Sequence, residues 1–316
     1  IIIAHFMKKL FAIDLDGTLF YPKHPISILK EKTISIIRKI IDGGDIFAIV
    51  SGRNINSCKN VFSLIERDPY IIGCNGAYIF EKDKFIKNET LDSKIFYEIY
   101  DYIDKNHKTI AKYVMAEDGQ FILEEKMPTF FYRFGQKIYD AMQGKLLENY
   151  IINRELFNEI ASKNKARKFM VMYGISNKAK ELARIATEDL QKKFGSKVEI
   201  CWSNQAVEIS PKGCSKAAGI LEFSKKLNIK KENIIVMGDS GNDIPMFQEF
   251  YENSYCIAKA NINVKKHAKH IIRRFDDIEK EIRELVELFK NMGFKRSEEV
   301  SNYIRTHKLG NKYKNI

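Results

Sequence analysis

Five short apolar runs, each broken off by a turn of small or acidic residues, restrict this chain to few architectures. They are Lys9–Ile13, Asp45–Val50, Tyr70–Cys74, Asn233–Met237 and Tyr255–Ala258. Each is too short for a helix and apolar throughout rather than alternating, which is the pattern of a strand buried on both faces. Helical patterns lie among them. Ile34, Ile37 and Ile41 share one face of Ile28–Ile41, which stops at Gly43-Gly44, and Ile278, Ile282, Leu285, Phe289 and Met292 line a face ending at Gly293. Alternating strands and helices predict an α/β fold: a parallel, Rossmann-like sheet with helices on both sides.

The middle of the chain reads differently. Helical spacing over Ser93–Lys105 and Asn177–Phe194 is mixed with alternating strands over Lys168–Tyr173, Lys197–Trp202 and Ala206–Ser210. This predicts an α+β unit inserted into the parallel-sheet domain, with residues 1–87 and 212–316 forming the core and residues 88–211 the insertion. A length of 316 residues suits two such units. The aromatic residues between 96 and 139, and Trp202, read as core of the insertion. Residues 294–316 lose periodicity and are basic, which predicts a mobile tail.

Composition removes several classes of function. With 45% hydrophobic and 30% charged residues the chain is neither disordered nor fibrous. No apolar run approaches the ~18–20 residues a membrane span needs, so no membrane partner is expected. Ile1–Ala4 is too short for a signal-peptide core, and Met7 reads as a candidate natural start. Five scattered cysteines without a CxxC pair predict reduced thiols, a cytoplasmic location and no structural zinc. The net charge of +12 suits an anionic partner, but a chain rich in Lys, Ile and Asn accounts for it without one. Lys265, Lys266, Lys269, Arg273 and Arg274 form a basic cluster, and Arg305, Lys308, Lys312 and Lys314 stud the tail. No nucleic-acid motif accompanies them, so nucleic acid is disfavoured as a partner. His267 and His270, without a third ligand, read as a solvated helix face.

Ligands of an open parallel sheet bind at the carboxyl ends of its strands. The first run is followed by Asp14-Leu15-Asp16-Gly17-Thr18, the second by Ser51-Gly52-Arg53, the third by Asn75-Gly76 and the fourth by Gly238-Asp239-Ser240-Gly241-Asn242-Asp243. Clustered carboxylates favour a hard cation such as Mg²⁺. Phosphoryl transfer needs a nucleophile, an acid for the leaving oxygen and positive charge around the phosphate. Asp14 with Mg²⁺ meets the first need, and Asp16, two residues on, the second. Nearby anionic charge is expected to raise the pKa of Asp16, as suits a general acid. Arg53 reads equally as structural or as a contact to the substrate or insertion, and Asn75 as a turn former or a substrate-side residue.

Asp14-Leu15-Asp16-Gly17-Thr18-Leu19 after an apolar strand resembles the first motif of the haloacid dehalogenase (HAD) superfamily. Ser51, a lysine near 212–216 and Gly238-Asp239-Ser240-Gly241-Asn242-Asp243 are similar to its second, third and fourth motifs, in order. Ser51-Gly52-Arg53, Asn75-Gly76-Ala77 and the large insertion resemble the Cof-type, class IIB phosphatases. The resemblance spans about Lys8 to Gly293. It implies a HAD-type core with a C2B-like α+β cap, in which Asp14 forms an aspartyl-phosphate and Asp16 acts first as acid and then as base. It further implies that Mg²⁺ is held by Asp14, the backbone carbonyl of Asp16 and Asp239, with Asp243 and Asn242 close behind. Ser51 and a lysine would bind phosphate; Lys216, at the start of its helix in Ser215-Lys216-Ala217-Ala218, fits better than Lys212. The implied activity is Mg²⁺-dependent hydrolysis of small phosphorylated metabolites, sugar phosphates or similar. A phosphomutase on the same fold and a non-catalytic anion- or nucleic-acid-binding protein are the alternatives. The insertion's two connections, the second at Ser210-Pro211-Lys212-Gly213, imply a cap that closes over the strand ends, with Gly213 as a hinge.

Overall fold

The computed structural model describes residues 8–20, 29–124, 150–174 and 176–279. The helix expected to end at Gly293, the basic tail, Ile1–Ala4 with Met7, and the aromatic residues between 125 and 139 lie outside the described residues.

Two sheets organise the chain. The first has eight strands in the order β14-β13-β12-β1-β2-β3-β4-β5. Its centre comprises β1 (Leu10–Asp14), β2 (Ile46–Val50), β3 (Tyr70–Gly73), β12 (Ile234–Gly238), β13 (Ser254–Ile257) and β14 (His270–Ile272), all parallel. Strands β4 (Tyr78–Glu81) and β5 (Lys84–Asn88) extend one edge as an antiparallel hairpin. All five residues of β1 are buried, with Phe11 and Ile13 in one apolar cluster and Leu10 and Ala12 in another, as a strand covered on both faces requires. The chain runs from β1 outward to β2 and β3, and later returns on the other side of β1 as β12. The order therefore reverses at β1, which places a crevice at the carboxyl ends of β1 and β12.

Helices α1 (Glu31–Asp42) and α2 (Ile55–Ile65) belong to this layer. So do α6 (Lys216–Lys226), α7 (Ile244–Glu249) and α8 (Ile262–Lys265) after the insertion. One expectation fails here. His267 lies beyond the end of α8 and His270 opens β14, stacked on Tyr255, so the two do not share a helix face. The basic cluster is also largely paired within the fold: Lys269 with Glu252, and Arg273 and Arg274 with Asp277.

The second sheet has six strands in the order β10-β11-β9-β6-β7-β8. It is built from β6 (Ala111–Ala116), β7 (Phe121–Leu123), β8 (Tyr150–Ile152), β9 (Ala166–Met172), β10 (Val198–Ser203) and β11 (Ala206–Pro211). Helices α3 (Ser93–Asn106), α4 (Arg154–Ser162) and α5 (Asn177–Phe194) cover one of its faces. Each starts at a capping side chain: Asp92, Asn153 and Ser176 accept hydrogen bonds from first-turn backbone N–H groups. On that face Val114, Ile122, Phe169, Val171, Val207 and Ile209 pack against Phe96, Phe157 and Leu190. The alternate residues Tyr113, Met115 and Phe121 join the cluster that contains Phe11 and Ile13 of the first sheet. The inserted sheet thus lies against the parallel one through its second face.

A close approach at Gly76 fixes where α6 begins. Gly76 has φ +89°, and a Cβ there would lie 2.3 Å from the backbone oxygen of Ser215, the N-cap of α6. Gly76→Ala would combine a left-handed backbone with a backbone clash, and is expected to cost about 2–4 kcal/mol. Denaturant titration should show the midpoint falling accordingly; an unchanged midpoint would contradict this packing.

Candidate active site

Two strand ends converge on one buried ammonium. Lys216 stands at the first turn of α6, and its Nζ donates to Asp14 Oδ1 at 2.6 Å and to Asp243 Oδ1 at 2.5 Å. All three side chains are almost wholly buried. Lys212 instead lies at the surface, on the Gly195 carbonyl and Glu199. Burial alone would push the Lys216 ammonium down, but the two carboxylates outweigh it and hold it above the ordinary lysine value.

The turn after β12 is folded around Asp243, whose Oδ2 accepts from the backbone N–H groups of Asp239 and Ser240, both at 2.8 Å. This aims Asp239 back at the β1 turn, where a Cβ on Gly17 would come within 2.3 Å of Asp239 Oδ2. Asp14, Asp239 and Asp243 each bring a carboxylate oxygen within 4.8 Å of the other two. Two oxygens of the group, Asp14 Oδ2 and Asp239 Oδ1, are buried with no hydrogen-bond partner. Buried, unpartnered carboxylate oxygens are costly unless a cation offsets them, and an all-oxygen donor set fits a hard divalent ion. Burial drives the Asp14 carboxyl well above the usual range, against the pull of Lys216 and with help from Asp243, Asp239 and Asp16. Burial, then Asp243, pushes Asp239 up to about 7.

Asp16 departs from expectation. Its side chain remains 47% exposed, and Arg53 grips it through two hydrogen bonds, Nε to Oδ2 at 2.6 Å and Nη2 to Oδ1 at 2.7 Å. Desolvation would raise its pKa, but the guanidinium outweighs that and holds the carboxyl below the usual range. The anionic neighbours invoked from sequence are thus overridden by an arginine 37 residues away.

Ser51 closes β2 and is buried; its Oγ accepts from the Arg53 backbone N–H at 3.1 Å, which leaves its own O–H to donate elsewhere. Asn75 adopts a left-handed conformation (φ 56°, ψ 38°). Its side chain is buried too: Oδ1 accepts from Asn242 Nδ2 at 3.2 Å and Nδ2 donates to Glu208 Oε2 at 2.5 Å. Turn former and site component are therefore one residue. The structure brings together Asp14, Lys216, Asp239 and Asp243 in one group, Asp16 with Arg53, and Asn75 with Asn242.

Sequence reasoning missed Lys168 and Glu208 of the inserted sheet, which meet the Gly52 carbonyl and Asn75. The available signal was parity. Lys168 falls in step with Met170 and Met172, as a charge on a face that otherwise reads apolar. Trp202 also sits at the junction, with its backbone oxygen where a Cβ on Gly241 would come within 2.6 Å.

Residues 11–279 match the haloacid dehalogenase-like hydrolase family. The chain belongs to that family. Within HAD proteins it is of the Cof type, and it is an enzyme, a phosphoric monoester hydrolase. A 5-amino-6-(5-phospho-D-ribitylamino)uracil phosphatase of Bacillus subtilis is 25% identical over 248 residues, covering 76% of this chain and 80% of the relative. An HMP-PP phosphatase of Escherichia fergusonii is 21% identical over 246 residues, covering 76% and 80%. Among solved structures, a HAD/COF-like hydrolase from Plasmodium vivax superposes with a TM-score of 0.68 at 23% identity, covering 85% of this chain and 90% of that one. A HAD phosphatase from Bacteroides thetaiotaomicron gives a TM-score of 0.65 at 19% identity over 86% and 91%. These structures share the HAD fold of a parallel-sheet core with an inserted α+β cap.

The carboxylate cluster has a pH signature. Asp239 keeps its proton to about pH 7 in the folded chain, whereas the unfolded chain releases it near pH 4. Between these values the unfolded state binds fewer protons, so stability falls as pH rises through that window. A divalent cation bound by the ionised carboxylates opposes this loss. Adding one should therefore raise the thermal midpoint more at about pH 8 than at about pH 5.5; equal shifts would rule out cation binding at this cluster.

Proposed function

We propose that this HAD enzyme is a Mg²⁺-dependent phosphatase of small phosphorylated metabolites, sugar phosphates or similar, working in the cytoplasm through an aspartyl-phosphate. The single observation that carries the reading is the pair of unpartnered carboxylate oxygens, on Asp14 and Asp239, beside a lysine already committed to Asp14. Free cysteines, four of them buried, support the location. None of the described helices is long and apolar enough to cross a membrane.

Asp14 is the nucleophile. Lys216 holds Oδ1, which fixes the carboxylate plane. Asp14, Asp239 and the backbone carbonyl of Asp16 would hold Mg²⁺, with Asp243 bracing the Asp239 turn and Asn242 beside it. Bound there, Mg²⁺ offsets the repulsion between a carboxylate and a phosphate dianion. The Ser51 hydroxyl and Lys216 bind phosphate oxygens. Asp16 protonates the leaving oxygen and then takes a proton from the water that attacks the acyl phosphate. As an acid it must hold a proton, and its pairing with Arg53 works against this. The role therefore requires Arg53 to turn from Asp16 to the incoming anion, which exchanges one charged partner for another.

The inserted unit, residues 88–211, serves as the cap. Gly213 in its second connection has φ +79° and open space around it, as a hinge needs. Closure excludes bulk water and strengthens every interaction among phosphate, cation and Lys216.

With Mg²⁺ the protein is expected to hydrolyse a generic aryl phosphate or a member of a panel of sugar and nucleotide phosphates. Turnover of none would sink the reading. Asp14→Asn should abolish turnover with the fold intact, while Asp16→Asn should slow it by ~10²–10⁴. If Asp14→Asn kept activity within about tenfold of the parent, nucleophilic catalysis by this residue would be excluded.

A further inference from the structure

We propose that the inserted sheet opens from one end only. It pivots where β6, β9 and both connections meet the core, and a gate parts between Trp202 and Gly241. The proposal rests on the cap and phosphatase reading above and deepens it.

Some part of the molecule must move before the chemistry starts. Asp14 Oδ2 and Asp239 Oδ1 are buried, so a phosphate cannot meet them until a neighbouring part withdraws. The inserted unit is the part built to do so, because its sheet and helices share a core of their own.

The two ends of its sheet are held unequally. Ala116 pairs in register with Ala166, and Pro211 lies beyond the pairing of Ile209 with Phe169, so the β6–β7 turn, the start of β9 and the exit to Lys212 share one end. Leu91 N donates to the Ala166 carbonyl at 2.7 Å, which brings the entry to the same end. Contacts to the core are polar and numerous here. Asn54 Nδ2 donates to the Ala116 and Gln120 carbonyls at 3.1 and 3.4 Å, and Asn56 Nδ2 to the Gly119 carbonyl at 3.1 Å. Arg167 donates through Nε to Asn88 Oδ1 at 2.7 Å and through Nη1 to Asn54 Oδ1 at 3.2 Å. Two residues on, Lys168 reaches the Gly52 carbonyl. Pulling the wholly buried guanidinium of Arg167 from these partners would strand its charge, so this end stays seated.

Five residues along from Ala166, about 17 Å at ~3.4 Å per residue, lies Val171, in register with Val207 and through it with Trp202. In this half, among the described residues, Asn75 alone donates across the junction, to Glu208 Oε2 at 2.5 Å and to Cys201 Sγ at 3.5 Å. The other tie is a contact. β10 is the edge strand, and a Cβ on Gly241 would lie 2.6 Å from the Trp202 carbonyl oxygen and 3.1 Å from its ring. Gly241 does not have the positive φ found at Gly17, Gly76 or Gly213, so its missing side chain serves the approach of Trp202 rather than the backbone. Gly241 also stands in the turn between Asp239 and Asp243. Occupation of those carboxylates fixes the surface on which the gate seats, which couples closure to loading of the site.

Trp202 is the only tryptophan in the chain, so its fluorescence reports the gate. The test measures acrylamide quenching of the full-length protein, free and with Mg²⁺ and orthovanadate, an analogue of the transferred phosphoryl group. Loading is expected to lower the quenching constant by about twofold or more. Gly241→Ala, which cannot seat Trp202, should raise the constant of the free protein by a similar factor with circular dichroism unchanged. A reporter moved to the pivot, Trp202→Phe with Phe121→Trp beside the β6–β7 turn, should be quenched equally with and without ligand. The proposal is overturned if vanadate binds by calorimetry yet leaves Trp202 quenching unchanged, if folded Gly241→Ala is quenched like the parent, or if the pivot reporter responds as strongly as Trp202. Failure of vanadate to bind, with Trp202 exposed by Gly241→Ala, would instead defeat the phosphatase reading and leave the gate standing.

Discussion

The buried ammonium of Lys216 is the interaction on which the rest of the site depends. It is held by carboxylates from two separate strand ends, Asp14 closing β1 and Asp243 in the turn after β12, strands that are neighbours only because the sheet order reverses there. Such an arrangement is stable only if each partner is placed closely, since a displaced carboxylate would leave charge stranded out of water. The backbone supplies that placement. Gly76 lets the chain pass against Ser215, which sets the start of α6, and two N–H groups fasten Asp243. One ammonium still cannot balance Asp14, Asp239 and Asp243 together. The excess of negative charge, and the carboxyl groups it pushes upward, are what a cation and a phosphoryl group would resolve together.

The inserted sheet answers a different constraint. A sheet has two faces, and this one spends them separately. Phe169, Val171 and their helix-facing neighbours hold the unit together, while Met115, Met170, Lys168 and Glu208 meet the core. Contacts from the segment just after Arg53 to the inserted sheet reinforce the docking. Asn54 Nδ2 donates to the Ala116 carbonyl at 3.1 Å, and Asn56 Nδ2 to the Gly119 carbonyl, also at 3.1 Å. Arg167 is wholly buried between the rings of Tyr78 and Phe85 and bonded to Asn88 and Asn54, so it ties β9 to the edge hairpin of the parallel sheet.

Much of this was legible from the chain alone, for identifiable reasons. The five apolar runs all became parallel strands because burial on both faces leaves a dense local signature. Helix α5 has the bounds its helical spacing implied, with Ser176 capping its start and Gly195 following its end. Asp14, Asp239 and Asp243 could be grouped because strand ends of a parallel sheet meet on one side. What stayed hidden was pairing at long range. Arg53 could not be assigned to Asp16 without knowing that two turns face each other, and the direction of the Asp16 pKa was misread for that reason. Glu208 looks like the polar half of an alternating strand, the half that usually faces water, and Lys168 is marked only by its step with Met170 and Met172. His267 and His270 were misplaced because a helical spacing of three residues also spans the turn that leads into β14.

The separation of the two faces of the inserted sheet has an evolutionary consequence. Residues that hold the inserted unit together and residues that meet the parallel-sheet core occupy alternate positions on the same strands, so a single substitution touches one face and spares the other. A lineage can therefore vary the face that carries Lys168, Glu208 and Cys201, and with it the junction, while inheriting the inserted fold from Phe169, Val171, Val207 and Ile209. Beneath it, the strand ends of the parallel sheet can keep the same phosphoryl chemistry throughout.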